Sequence, residues 1–276
     1  MTENIGIIGF GNMGSAIAER IKTKYKVWVF DKDKEKTKNI FGINVADNLA
    51  DLANQADVII LAVKPQDFDA VLNEMKNCAQ DKFIISIAAG ISTEYIERKL
   101  GNARVVRTMP NIPAKIGEGM TCLCKGKFTS EEDLSFVEEL FSYLGKTLIL
   151  REGLMHAATA VSGSGPAYVC DYMITEALEP NNIPEHKKRE FLKDFKKAAE
   201  SVGFNSEEAE LLVNTSYTGT INFIKKTNIA PEELEKQVTS RGGTTEAALL
   251  ARRNGSSWEE AVKVAKRRAE ELSKKE

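Results

Sequence analysis

The chain has 276 residues, 42% hydrophobic and 28% charged, with 38 Lys and Arg against 40 Asp and Glu for a formal net charge of −2. That length exceeds one ordinary hydrophobic core and predicts two domains. The balanced charge argues against nucleic acid and anionic membrane surfaces as partners, since both select basic proteins.

The opening MTENIGIIGF lacks a basic stretch followed by a long apolar run, so no signal peptide is expected. Strand-type apolar runs follow at 5–9, 27–31, 58–63, 83–88 and 105–109. All are too short to cross a bilayer. Amphipathic stretches at 13–22, 49–54, 68–76 and 93–99 separate them. Fully apolar strands alternating with helices predict an α/β fold, a Rossmann-type doubly wound parallel sheet covered on both faces. A further alternating stretch at 119–124 precedes a helix at 130–144, whose start carries Thr129 and, three residues on, Glu132, the spacing of a capping box. A last strand is expected at 147–150. Beyond Arg151 the strand signal fades, and Pro180, Pro184, Pro231 and Asn254-Gly255 punctuate helices. The reading is therefore a dinucleotide-binding domain over 1–150 and an all-helical domain over 151–276. The cysteines, Cys78, Cys122, Cys124 and Cys170, form no Cys/His cluster, so no metal is expected, and reduced thiols fit a cytoplasmic protein.

Gly9-Phe10-Gly11-Asn12-Met13-Gly14 follows the first strand and opens the first helix. Such a run suits a dinucleotide. Gly9 permits the turn, Gly11 lets the pyrophosphate approach the backbone, and Gly14 lets helix and strand pack closely. Asp31 ends the second strand, about 20 residues on, where a carboxylate meets the adenosine ribose. It repels a 2′-phosphate and tips the balance towards NADH. Lys32 and Lys34 beside it tolerate the phosphate, and a turn-forming role for Asp31 stays open. Loops after later strands face the same ligand. These are Ala62-Val63-Lys64-Pro65, Ala88-Ala89-Gly90 and Met109-Pro110-Asn111, with Asn48 counted among the cofactor positions. In the helical half, Ser240-Arg241-Gly242-Gly243-Thr244-Thr245 reads as an anion nest at a helix start, with an ordinary glycine-rich loop as the alternative.

The motifs GFGNMG, AVKP, SIAAGI, MPNIP, GEGMT, SGSGPAY and SRGGTT, in this order, resemble pyrroline-5-carboxylate reductases over nearly the whole chain. The resemblance implies reduction of 1-pyrroline-5-carboxylate to proline by NADH or NADPH. It also implies a helical domain that pairs two chains, with dimers assembling into larger rings, and a substrate site between one chain's Rossmann domain and its partner's helices. By the same resemblance, Thr245 meets the ring nitrogen, and the amides of Ser240, Gly242, Gly243 and Thr244 hold the carboxylate. Ala62, Val63, Lys64, Ala88 and Asn111 border the cofactor.

Three departures stand out. Arg241 replaces the family's usual proline. Asp31-Lys32 differs from the Asn-Arg ending common in NADPH-preferring members. The stretch 178–194 reads as an insertion whose Pro180 and Pro184 break a long helix or push out a loop. Two other readings are a 3-hydroxyacid dehydrogenase and a dinucleotide-binding protein without turnover. The first calls for a lysine base opening the helical domain, and none lies between Arg151 and Asp171.

Overall fold

Short runs of Val, Ile and Leu, apolar on both faces, form strands only where helices cover both sides of the sheet. The computed structural model describes residues 3–274. Its strands are β1 (Asn4–Ile8), β2 (Lys26–Phe30), β3 (Asn44–Val45), β4 (Val58–Leu61), β5 (Phe83–Ser86), β6 (Arg104–Pro110), β7 (Gly119–Lys125) and β8 (Gly145–Ile149). The helices among them are α1 (Asn12–Ile21), α2 (Leu49–Gln55), α3 (Pro65–Met75), α4 (Thr93–Leu100) and α5 (Glu131–Ser142). The sheet runs β3-β2-β1-β4-β5-β6-β7-β8. Its first six strands pair in parallel, for example Ile7 with Val29 and with Ile60. The doubly wound parallel sheet is thus present. Only β3, two residues long, escaped the sequence reading.

The chain folds as two compact units. The first runs to Thr108 and adds Leu123–Glu152; the second takes Met109–Cys122 and continues from Gly153. The stretch 109–122 therefore belongs with the helices, and the division is not a single cut. In the first unit, Leu52, Phe68, Leu72 and Ile96 from three helices pack over Ile59 and Ile84 of the sheet. Arg107, almost fully buried, is neutralised by Glu152 at 2.5 Å, which also accepts from the Thr93 hydroxyl at 3.0 Å.

The second unit contains no strand after Gly153 among the described residues. It has α6 (Met155–Ala158), a π-helical turn over Thr159–Gly163, α7 (Gly165–Thr175), α8 (Glu185–Ser201), α9 (Ser206–Thr227), α10 (Pro231–Val238), α11 (Thr244–Arg253) and α12 (Trp258–Ser273). Its core is aromatic. Tyr168 meets Phe195 edge-on at 5.6 Å, and Phe191 meets Trp258 edge-on at 5.6 Å. The expected break falls between Thr175 and Glu185, with Pro184 as the residue before α8. Residues 185–194 are helical rather than looped.

One local expectation is corrected. The start of α5 is capped by Ser130, whose hydroxyl accepts from the Asp133 N–H while Asp133 accepts from Ser130 N–H. Thr129, expected as the cap with Glu132, instead bonds Val105 through its hydroxyl, accepting from N–H at 2.9 Å and donating to C=O at 2.7 Å. A buried threonine hydroxyl has more to gain by satisfying two backbone groups than by capping an exposed helix start. Ser130→Ala should destabilise the protein by about 1 kcal/mol. Thr129→Val should cost about 1–3 kcal/mol, because it strands the buried Val105 N–H, whereas the Val105 carbonyl keeps the Gly126 N–H at 2.8 Å. Urea unfolding of both variants checks the ranking.

Candidate active site

In the first unit, the loops after β1, β2, β4 and β5 emerge at the carboxyl ends of neighbouring parallel strands. The strand order reverses at β1, which is where α/β sheets hold ligands. Gly9 has φ +98°, and a Cβ there would lie 2.6 Å from the Ala62 carbonyl oxygen. At Gly14 a Cβ would come 2.0 Å from the Gly9 oxygen. Both glycines are demanded by protein contacts. Gly11 differs, since a Cβ there would meet no atom within 4 Å. The room at Gly11 therefore suits a ligand. Gly11 is also the N-cap of α1, with no side-chain cap and no acidic residue in the first turn. The positive end of that helix points its first-turn N–H groups out of the glycine loop, the arrangement a pyrophosphate requires. These residues fit a dinucleotide.

Asp31 lies where its spacing predicted, directly after β2, and is 8% exposed. It already has donors: Phe10 N–H at 2.7 Å, Asp33 N–H at 2.9 Å and Lys36 Nζ at 3.2 Å. Burial alone would raise its pKa, but the two N–H groups and the Lys36 ammonium together hold it below the ordinary carboxylate value. Asp31 thus braces the glycine loop through Phe10. The sequence reading missed that tie and Lys36. Exposed Lys32 pairs with Asp67 in the first turn of α3 at 2.7 Å.

Asn48 caps α2 by accepting from Asp51 N–H at 2.9 Å. Ala62 donates its N–H to the Ile8 carbonyl at 2.8 Å, holding the β4 loop against β1. Val63 flanks Gly9 there. Lys64 precedes α3, which begins on Pro65. Ala88 N–H reaches the Ser86 hydroxyl at 3.3 Å, Ala89 is exposed, and Gly90 turns the chain at φ +86°. Asn12 and Met13 open α1. Asn111 belongs to the second unit, where its side-chain oxygen accepts from Met120 N–H at 2.8 Å and its amide donates to the Ser162 carbonyl at 3.2 Å.

In the second unit the SGSG motif and the Gly-Gly-Thr-Thr loop meet. The π-helical turn places Ser164 before α7, and π-turns often reshape a helix at a functional site. Thr245, 5% exposed, donates its hydroxyl to Ser164 Oγ at 2.9 Å. Ser164 in turn donates to the Thr159 carbonyl at 3.3 Å, and Thr244 Oγ1 lies 3.3 Å from Ser164 Oγ. Gly243 is the N-cap of α11, with no side-chain cap. Two loop amides are already engaged: Gly242 N–H with the Glu246 carboxylate at 2.7 Å, and Gly243 N–H with the Ser240 carbonyl at 3.0 Å. The first-turn amides of Thr244 and Thr245 are the ones helix geometry leaves open.

Sequence reasoning gave neither Ser164 nor Glu246 a role, although Ser164 lies in the SGSGPAY motif. Glu246 sits three residues after Gly243, which is capping-box spacing and was the available signal. Apart from Glu246, whose carboxylate is engaged by the Gly242 N–H, the cluster's named side chains are hydroxyls. The Tyr168 hydroxyl donates to the Ala160 carbonyl at 2.9 Å, and burial raises its pKa. In β7, burial pushes the Cys122 and Cys124 thiols up to about 12, which removes both as thiolate nucleophiles.

Two family models match the chain. Residues 4–90 match an NADP oxidoreductase, coenzyme F420-dependent model, and residues 189–272 match a pyrroline-5-carboxylate reductase dimerisation model. A pyrroline-5-carboxylate reductase from Synechocystis is 33% identical, covering 100% of each chain. The solved structure of one from Coxiella burnetii is 31% identical with a TM-score of 0.67, covering 99% of each. That of a Plasmodium falciparum pyrroline carboxylate reductase with NADP bound is 28% identical with a TM-score of 0.63, covering 98% of each. With a Rossmann glycine loop in one unit and a hydroxyl-lined helix start in the other, matched end to end at this identity, the chain belongs to the pyrroline-5-carboxylate reductase family.

Proposed function

We propose that this protein reduces 1-pyrroline-5-carboxylate to proline, with NAD(P)H as hydride donor. The observation that carries the reading is the hydroxyl chain from Thr245 through Ser164 to the Thr159 carbonyl, beside the open amides of Thr244 and Thr245. A cyclic imino acid offers a carboxylate to such amides and a ring nitrogen to such a hydroxyl. The Thr245 hydrogen is directed to Ser164, so Thr245 Oγ1 presents lone pairs to the ligand. It therefore accepts from a protonated ring N–H and favours the electrophilic form of the imine. The proton arrives with the substrate, and the protein supplies orientation instead of acidity. Holding the imine this way contributes on the order of several kcal/mol to lowering the barrier.

Gly9–Gly14 and the loops at 62–65 and 88–90 would hold the dinucleotide, which supplies the hydride when bound. Asp31 leans the preference towards NADH. The dimerisation match supports self-association through the helical unit, and we extend this to dimers that close into a larger ring. The substrate carboxylate is taken by Thr244 and Thr245 amides, with Ser240, Gly242 and Gly243 shaping the loop. Among the described residues no helix is long and apolar enough to cross a membrane, and all four cysteines are free thiols, which supports a cytoplasmic setting.

NADH and NADPH oxidation in the presence of pyrroline-5-carboxylate tests the assignment, with a 3-hydroxyacid plus NAD+ as the contrasting assay. Turnover of the imine alone is expected. Binding of dinucleotide without any turnover would remove the reductase reading. Thr245→Ala should lower kcat/KM by about tenfold or more with the Kd for NADH intact, whereas Thr245→Ser retains most activity. Ser164→Ala should lower kcat/KM by a smaller factor, about threefold to tenfold, because it loosens the Thr245 hydroxyl without deleting it. Equal rates for Ser164→Ala and the parent would separate Ser164 from the reaction.

A further inference from the structure

The rim of the dinucleotide site carries a second ion pair that the family motifs do not describe. Beyond β2, three cations and three anions alternate from Asp31 to Lys36. Asp31 is matched by Lys36 at 3.2 Å and by two backbone N–H groups. Its charge is therefore locally answered. Lys32 is the next cation, with its side chain 75% exposed, and its ammonium is held by Asp67 Oδ1 at 2.7 Å. Asp67 is fixed in turn, standing in the first turn of α3 with its N–H on the Lys64 carbonyl at 2.9 Å. A carboxylate there is further favoured by the positive end of the helix.

The strand order gives this pair its reach. Strands β2 and β4 flank β1, and the Lys32–Asp67 contact runs from the loop after β2 to the helix after β4. It therefore spans the rim above the glycine loop that follows β1. An adenosine ribose extended from that loop towards Asp31 brings its 2′ position to this rim. A 2′-hydroxyl asks for no counter-charge. A 2′-phosphate carries about two negative charges at neutral pH and asks for a cation.

We infer that Asp67 sets the dinucleotide preference of this protein, by holding Lys32 away from a 2′-phosphate and adding its own negative charge at the rim. The inference rests on the dinucleotide reading above and adds to it a residue outside the glycine and Asp31 signature. Binding of the phosphorylated cofactor then requires Lys32 to exchange one anion for another, whereas NADH leaves the pair intact.

Fluorescence titration of NADH and NADPH against the full-length protein tests this, using Asp67→Asn, Lys32→Ala and the double variant, each checked for thermal unfolding. In Asp67→Asn the Kd for NADPH should fall about tenfold relative to that for NADH, since a released ammonium now meets the phosphate. The shift should shrink in high salt, because the groups are exposed. In the double variant most of the shift should vanish, because Lys32 is the agent. An unchanged ratio in Asp67→Asn overturns the inference. So does a full shift in the double variant, which would leave Lys32 no part in it. If the parent protein binds neither cofactor, the dinucleotide reading itself fails and takes the inference with it.

Discussion

The glycine loop of the first unit and the Gly-Gly-Thr-Thr loop of the second each lead into a helix that begins without a side-chain cap. Most of the longer helices here dispose of their first N–H groups conventionally. Asn48, Ser92, Ser130, Asn205 and Ser257 cap α2, α4, α5, α9 and α12 with side-chain oxygens. Helices α3, α7 and α10 carry proline in the first turn, which removes a donor outright. Only α1 and α11, among the described residues, begin on a glycine N-cap with neither device. An unmet N–H group is costly wherever water is excluded. Helices α6 and α8 also start without either device, and α1 and α11 are set apart by their glycine N-caps and by flanking chemistry that suits an anion.

The first of them shows how little of a glycine motif concerns the ligand. Gly9 and Gly14 are fixed by collision with Ala62 and with each other, which are folding constraints. Gly11 answers to no neighbour. Asp31 follows the same division. Its spacing marks a ribose partner, yet its two oxygens hold Phe10 and Asp33, so a large share of its role is to keep the loop in shape before any ligand arrives. The carboxylate whose spacing suggests a ribose partner is thus itself part of what shapes the loop.

The sheet was legible because its strands are buried on both faces, and apolar runs of that kind have few other fates. Helix breaks at Pro184, Pro231 and Gly255 were legible for an equally local reason. What could not be read were choices between equivalent partners. Thr129 and Ser130 are neighbours with the same functional group, and only the position of Val105 in space decides which one caps α5. Ser164 and Thr245 are 81 positions apart, and no local pattern announces their contact. Asn111 sits in a motif that suggests a cofactor border, yet its amide is held by Met120 and Ser162, partners that no spacing rule identifies.

The loop before α11 raises a last question of rigidity. Where the family usually has proline this chain has Arg241, which fixes no backbone angle and lies exposed. The following residue, Gly242, has φ +71°, a conformation that leaves glycine many alternatives. Two side chains close off those alternatives. Glu246 accepts the Gly242 N–H at 2.7 Å, and Arg268 donates to the Gly242 carbonyl at 2.8 Å. One clamp comes from α11 and the other from α12, helices that pack closely on each other. Between them they fix both peptide planes that flank Gly242. The constraint that a proline ring would impose through covalent geometry is thus imposed through a carboxylate and a guanidinium. Because Glu246 takes the Gly242 amide, the first-turn N–H groups of Thr244 and Thr245 are the ones that helix geometry leaves for another acceptor.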